Sequence, residues 1–188
     1  MGSKGKGGSF EREVSCRISL WWTCGERDDV FYRSNSSGGR FTMRNKSGKD
    51  TALQGGDITC SDPIGEQLIR NWNIEVKTGY GKKAADGVFR WDVLDLIDSK
   101  QKKPVLQSMW GQCIRDAGIS NREPILIFRR NLRSPCIMIR TVYELQLQEW
   151  FASIDHSTIN IDSFDRCTIM SLLDFFSWIP DIRISLKL

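Results

Sequence analysis

The stretch WNIEVKTGYG, Trp72–Gly81, decides how this chain is read. It has the composition of a buried β-strand, yet it carries Glu75 and Lys77. Side chains alternate between the two faces of a strand, so Glu75 and Lys77 share one face while Ile74, Val76 and Thr78 take the other. The ordinary explanation is a cross-strand ion pair on a solvated face. The alternative is a reactive site, and the rest of the chain has to supply its other parts.

A second acid supplies one. Asp57 follows Gly55-Gly56 at the start of a short β-prone run, GDITCS. Two carboxylates on neighbouring strands make an oxygen-rich cage suited to Mg²⁺ or Mn²⁺, and the backbone carbonyl of Val76 could complete it. A cation there polarises a phosphoryl oxygen and lowers the pKa of a water. Lys77 could orient that water or neutralise charge on the phosphorus. Under the ordinary reading Asp57 is simply a turn residue.

The elements around this pair alternate between helix and strand. Residues 1–9 are rich in Gly, Ser and Lys and read as a flexible lead. Ser9 can cap a helix from Phe10, in which Phe10, Val14, Ile18 and Trp21 recur at helical spacing and Gly25 is a natural stop. DVFYRS reads as a strand ending in the turn-rich NSSGGR, residues 42–56 as a long polar loop, and Asp62-Pro63 as a break. Residues 88–99 read as a short helix and PVLQSMWGQCIRDAG as a better one, with Pro104 in its first turn. EPILIFRRN and CIMIRT read as strands, and VYELQLQEWFASI and the apolar IMSLLDFFSWIP as helical. The order predicts a mixed α/β domain with a central sheet flanked by helices.

In this order the pieces resemble the PD-(D/E)XK nuclease superfamily, and within it the archaeal-type Holliday junction resolvases and related phage nucleases. GGSFERE is similar to the family's glycine-containing lead into a helical glutamate. YRSNSSGGR is similar to its Arg- and Ser/Gly-rich segment, GDI to its acidic member and IEVKTG to its E-x-K. SMWGQCIRDAG followed by EPILIFRRN is similar to its glutamine-bearing helix and the next strand. The resemblance covers residues 5–132 and implies a restriction-endonuclease-like core over residues 10–140, with a helical extension over 141–188 for packing or dimerisation. It implies Glu11 as a helix-borne acid at the metal, with Glu13 as its rival; Asp57 and Glu75 as metal ligands; Lys77 as the catalytic lysine; and Gln112, in competition with Gln107, beside the water or a phosphate. Arg33, Ser37 and Arg40 would contact DNA phosphates. Gly56 stands where the family has proline, which leaves Asp62 as an alternative acid.

The implied activity is Mg²⁺-dependent (or Mn²⁺-dependent) hydrolysis of DNA by in-line attack of water, at Holliday junctions or other branched DNA, for which a two-fold homodimer would suit the symmetric substrate. The rivals are a nuclease for linear or nicked DNA and a catalytically silent nucleic-acid-binding module. Composition agrees. Of 188 residues 27% are charged, and the net charge of +4 lies wholly within residues 1–50, compatible with a phosphate-rich partner. No apolar run approaches the roughly 18 residues a membrane span needs, and no secretory signal opens the chain, so a cytoplasmic protein of bacterial or phage type is expected. The six cysteines include no C-x-x-C and there is one histidine, His156, which argues against zinc and for free, mostly buried thiols. Most tryptophans read as core, Asp92, Asp95 and Asp98 as a solvated helix face, His156 as exposed, and Arg129 and Arg130 as either surface ion pairs or DNA contacts.

Overall fold

The structure, a computed structural model, describes residues 4–34, 55–79, 96, 104–130, 132–141, 151–161 and 165–177. Helix α1 (Lys4–Trp22) leads to a short antiparallel pair, β1 (Phe31–Arg33) and β2 (Ile58–Cys60). A 3-10 turn (Pro63–Gly65) and α2 (Glu66–Asn71) follow, then β3 (Trp72–Thr78), α3 (Val105–Ser120), β4 (Glu123–Arg129), β5 (Cys136–Arg140), β6 (His156–Asn160), β7 (Arg166–Ser171) and α4 (Leu172–Ser177). The main sheet runs β3-β4-β5-β7-β6. β3 and β4 are parallel and the other pairs antiparallel.

The strand period divides the core in two. Trp72, Ile74 and Val76 of β3, Ile125 and Ile127 of β4, and Ile137 and Ile139 of β5 face α1 and α4. Leu126, Phe128, Met138, Cys167 and Ile169 face α3, which answers with Leu106, Met109, Trp110 and Cys113. This is why β4 reads as an unbroken apolar run: helices cover both faces. On β3, Glu75 and Lys77 are directed to the α3 side, opposite Leu126 and Phe128 of the neighbouring strand.

Helix α1 buries Phe10, Val14, Ile18 and Trp22 at steps of four. Trp22, not Trp21, takes the innermost place, and its Nε1 donates to Ile64 O at 2.7 Å. Trp21 lies half-buried against Phe175 and Phe176. Gly25, at φ +89°, ends the helix by donating to Leu20 O at 2.7 Å. At the other end the helix begins at Lys4 rather than at Phe10, so Ser9 lies inside it.

The C-terminal part departs most from the sequence reading. His156–Asn160 and Arg166–Ser171 are strands, and β7 lies within the main sheet between β5 and β6. The apolar run IMSLLDFFS divides: Ile169–Ser171 finish β7, and Leu172–Ser177 turn back as a helix. There Ser171 Oγ donates to Asp174 Oδ2 at 2.7 Å and accepts from Asp174 N at 2.9 Å, a local cap at the junction. Of the expected helices over residues 88–99 and 142–154, the described residues include helical Leu96, helical Phe151 and the turn at 152–154; the rest, with the aspartates at 92, 95 and 98, lie outside them.

Phe175 is 3% exposed and packs on Trp21 and Trp72, whereas Leu173 on the same helix is 74% exposed. Phe175→Ala should cost about 3–5 kcal/mol of unfolding free energy. Leu173→Ala should stay within about 0.5 kcal/mol. Urea unfolding followed by tryptophan fluorescence measures both, and equal effects would remove α4 from the core.

Candidate active site

The outer edge of β3 holds the centre of the site. Asp57 N donates to Ile74 O at 2.8 Å, and Val76 N donates to Asp57 Oδ2 at 2.8 Å. The N–H and C=O of one strand residue point the same way, so the Val76 carbonyl looks off the edge that Asp57 occupies. Asp57 O in turn accepts from Ser34 N at 2.8 Å, which ties this corner to the end of β1.

Gly56 permits the approach. Its φ is +80°, and a Cβ there would lie 2.7 Å from Ile74 O. Proline, fixed near φ of about −65°, cannot adopt that backbone. Glycine in place of the family's proline is therefore a local solution to bringing Asp57 against β3.

Asp57 is 6% exposed and Glu75 4%. Burial, and next the charge of Glu75, push the Asp57 carboxyl up to about 7; Lys77 and the Val76 N–H oppose the shift. Burial likewise raises Glu75, against the pull of Lys77. The Lys77 ammonium contacts Glu75 Oε1, with its side chain only 11% exposed. Gln112 Nε2 donates to the same Glu75 oxygen at 3.1 Å and reaches Asp116 at 3.5 Å.

Glu11 and Glu13 diverge, as residues two apart on a helix must. The charge of Glu11 acts on both Asp57 and Glu75, and its carboxylate is paired with Arg33. Glu13 instead pairs with Arg129 at 2.7 Å and Arg17 at 3.0 Å. Gln107 is turned away, donating to Ile161 O at 3.2 Å. Asp62 is occupied elsewhere: it caps the 3-10 turn through Ile64 N and pairs with Arg27 at 2.6 Å. The site residues Ser37 and Arg40 lie outside the described residues.

Two side chains had escaped the sequence reading. Asp116 stands one helical turn beyond Gln112, and its charge adds to the upward push on Glu75; the signal was the i, i+4 spacing in QCIRD. Asn73 is fully buried on the same face of β3 as Glu75, and among the described residues neither of its amide atoms has a hydrogen-bond partner. Its oxygen would sit 2.8 Å from a Cβ at Gly55. The same period of two that paired Glu75 with Lys77 also reached Asn73.

For a metal, the site offers oxygen donors only: two buried carboxylates and the Val76 carbonyl, with Glu11 close enough to be felt electrostatically. Among the described residues, no three His, Cys, Asp or Glu side chains converge on a single point. Two buried acids beside one partly buried lysine nonetheless form an oxygen-rich corner of the donor type that a hard divalent cation takes.

Two buried acids and a partly buried lysine thus meet on the edge of a mixed α/β sheet. The family described as "Phage putative PDDEXK endonuclease" matches residues 2–181, and the chain belongs to that family. No curated protein and no solved structure matches it. Among the described residues no helix is long and apolar enough to cross a membrane.

Gly56→Ala should cost about 1–3 kcal/mol, from strain at positive φ, and should dislodge Asp57. Thermal unfolding measures the first, and loss of DNA cleavage in a still-folded variant the second. A second expectation concerns pH. Asp57 binds its proton more tightly folded than unfolded, so the metal-free protein loses stability as pH rises from about 4 to 7, on the order of 4 kcal/mol for such a shift. A divalent cation should restore stability at pH 8 more than at pH 5, because its ligands must be deprotonated. Melting temperatures in EDTA and in Mg²⁺ test this, with Asp57→Asn as the reference that should lose the effect. Identical pH profiles for the two proteins would count against a shared cation.

Proposed function

We propose that the chain hydrolyses DNA phosphodiester bonds with Mg²⁺ or Mn²⁺ held by Asp57, Glu75 and the Val76 carbonyl, Glu11 standing alongside, and that its substrate is a Holliday junction or other branched DNA. The observation that carries the chemistry is the burial of two carboxylates against one partly buried lysine on the edge of β3, in a chain of an endonuclease family. When bound, the cation would polarise a phosphoryl oxygen and acidify a water.

The chain's own groups do the rest. Lys77, steadied by Glu75, donates to a phosphate oxygen as charge builds on phosphorus or orients the attacking water. Gln112 spends its amide N–H groups on Glu75 and Asp116, which fixes the Glu75 carboxylate and leaves its carbonyl oxygen to accept from water. Arg33, steadied by Glu11, presents its guanidinium to phosphate together with Ser37 and Arg40. A silent binding module would have no use for two buried acids, whose uncompensated burial costs stability. The branched substrate rests on the resemblance of residues 5–132 to junction resolvases, and a homodimer would offer one site to each of the two strands cut.

Single-turnover cleavage of a four-way junction and of a linear duplex of the same sequence, with Mg²⁺ or EDTA, tests the reading. Cutting should require the cation and favour the junction. Lys77→Ala should keep DNA binding and lose cleavage by about 10²–10³-fold. Equal rates on both substrates would point to a linear- or nicked-DNA nuclease. Binding without any cutting would point to a silent module.

A further inference from the structure

A cleft of about 360 Å³ opens beside the C-terminal ends of the parallel strands β3 and β4, lined by Ser9, Thr78, Gly79, Arg129, Arg130 and Arg133. It begins one residue past Lys77. No acidic side chain lines it among the described residues. Its floor is fixed: Gly79 N and Thr78 Oγ1 each donate to Arg129 O at 3.4 Å. Its wall is fixed too. The Arg129 guanidinium lies 4.0 Å from the centroid of the Phe10 ring and is paired with Glu13 at 2.7 Å. Above, the turn between β4 and β5 closes through Arg133 N donating to Arg130 O at 3.1 Å, with Leu132 in the left-handed region at φ +58°. This turn brings two more arginines to the rim, and Arg133 is exposed.

We infer that this cleft seats a backbone phosphate of the DNA strand one or two nucleotides from the bond cut at Lys77. The inference rests on the nuclease reading above. A strand advances about 3.3 Å per residue, so Thr78 and Gly79 lie about 3–7 Å beyond Lys77. Successive phosphates on one strand of a duplex advance about 3.4 Å along its axis. Lys77 is directed to the α3 side of β3 and the cleft, lined by Ser9 of α1, opens on the other, so a DNA strand that crosses the outer edge of β3 at its carboxyl end runs from Lys77 to the cleft. The chemistry there suits one: guanidinium forks for the anionic oxygens, Ser9 and Thr78 hydroxyls beside them, and a glycine that lets the backbone approach. The carboxyl ends of parallel strands are also where open α/β sheets commonly receive ligands.

Fluorescence-anisotropy titrations of the full chain with a labelled duplex, in EDTA and at 50–200 mM salt, test the inference. Arg130→Gln and Arg133→Gln should each weaken binding, about three- to tenfold at low salt, and flatten the slope of log K against log salt by about 0.9. A merely structural role would leave that slope unchanged. Arg166, exposed at the start of β7 and therefore at the opposite end of the sheet, supplies the control, and Arg166→Gln should match the wild type. If the cleft variants bind with the wild-type slope while the wild type cleaves DNA, the cleft inference falls and the nuclease reading stands. A wild type that neither binds nor cuts DNA overturns both.

Discussion

Two hydrogen bonds, from Asp57 N to Ile74 O and from Val76 N to Asp57 Oδ2, join the small β1–β2 pair to the main sheet at the point where the chemistry is proposed. Without them Asp57 would be an ordinary loop acid, free to reach water. With them it is held in a buried corner beside Glu75, where like charge and low dielectric make the ionised pair costly. That cost is the useful property: the corner gains most from whatever brings positive charge. Lys77 supplies part, and a divalent cation would supply more.

Helix α1 arranges the surroundings through a half-turn difference in direction between two of its acids. Its apolar stripe at Phe10, Val14 and Ile18 is pinned to the sheet, so the acids on its flanks have little choice of where to point. Glu11 goes to Arg33 and toward the two buried acids, and Glu13 to Arg129. Each arginine is thereby steadied on its own side of the helix. The same packing that builds the core sets the positions of cations around the site.

Much of this was legible in the sequence because it depends on local periods. The alternation in WNIEVKT correctly divided the faces of β3, and the i, i+4 stripe located α1 and its buried side. Glu75 and Lys77 were readable together because two residues along a strand is a fixed geometric relation. What local pattern could not convey was pairing at a distance. Cys167–Met170 are all buried, and such a continuous apolar run fits helix or strand equally until β5 and β6 flank it. HSTIN, polar and short, becomes β6 only by pairing with β7. The helix Glu66–Asn71 is too brief to show a period. Asp116 was missed for another reason: it matters only through Gln112 and, across the α3–β3 interface, Glu75, whereas the burial of Asn73 shows only once the fold is assembled.

The position of Asp57 has a further consequence. β3 is the terminal strand of the main sheet, and such a rim, with unpaired amides, invites another chain to add a strand. Here the Ile74 carbonyl and the Val76 amide are already taken, the second by a carboxylate. One acid thus acts as a gatekeeper against intermolecular sheet growth as well as a candidate ligand. Truncating it to alanine would expose a sticky rim along with removing an oxygen donor, so insolubility could masquerade as lost chemistry. Asparagine, which keeps an acceptor for the Val76 amide, separates the two roles.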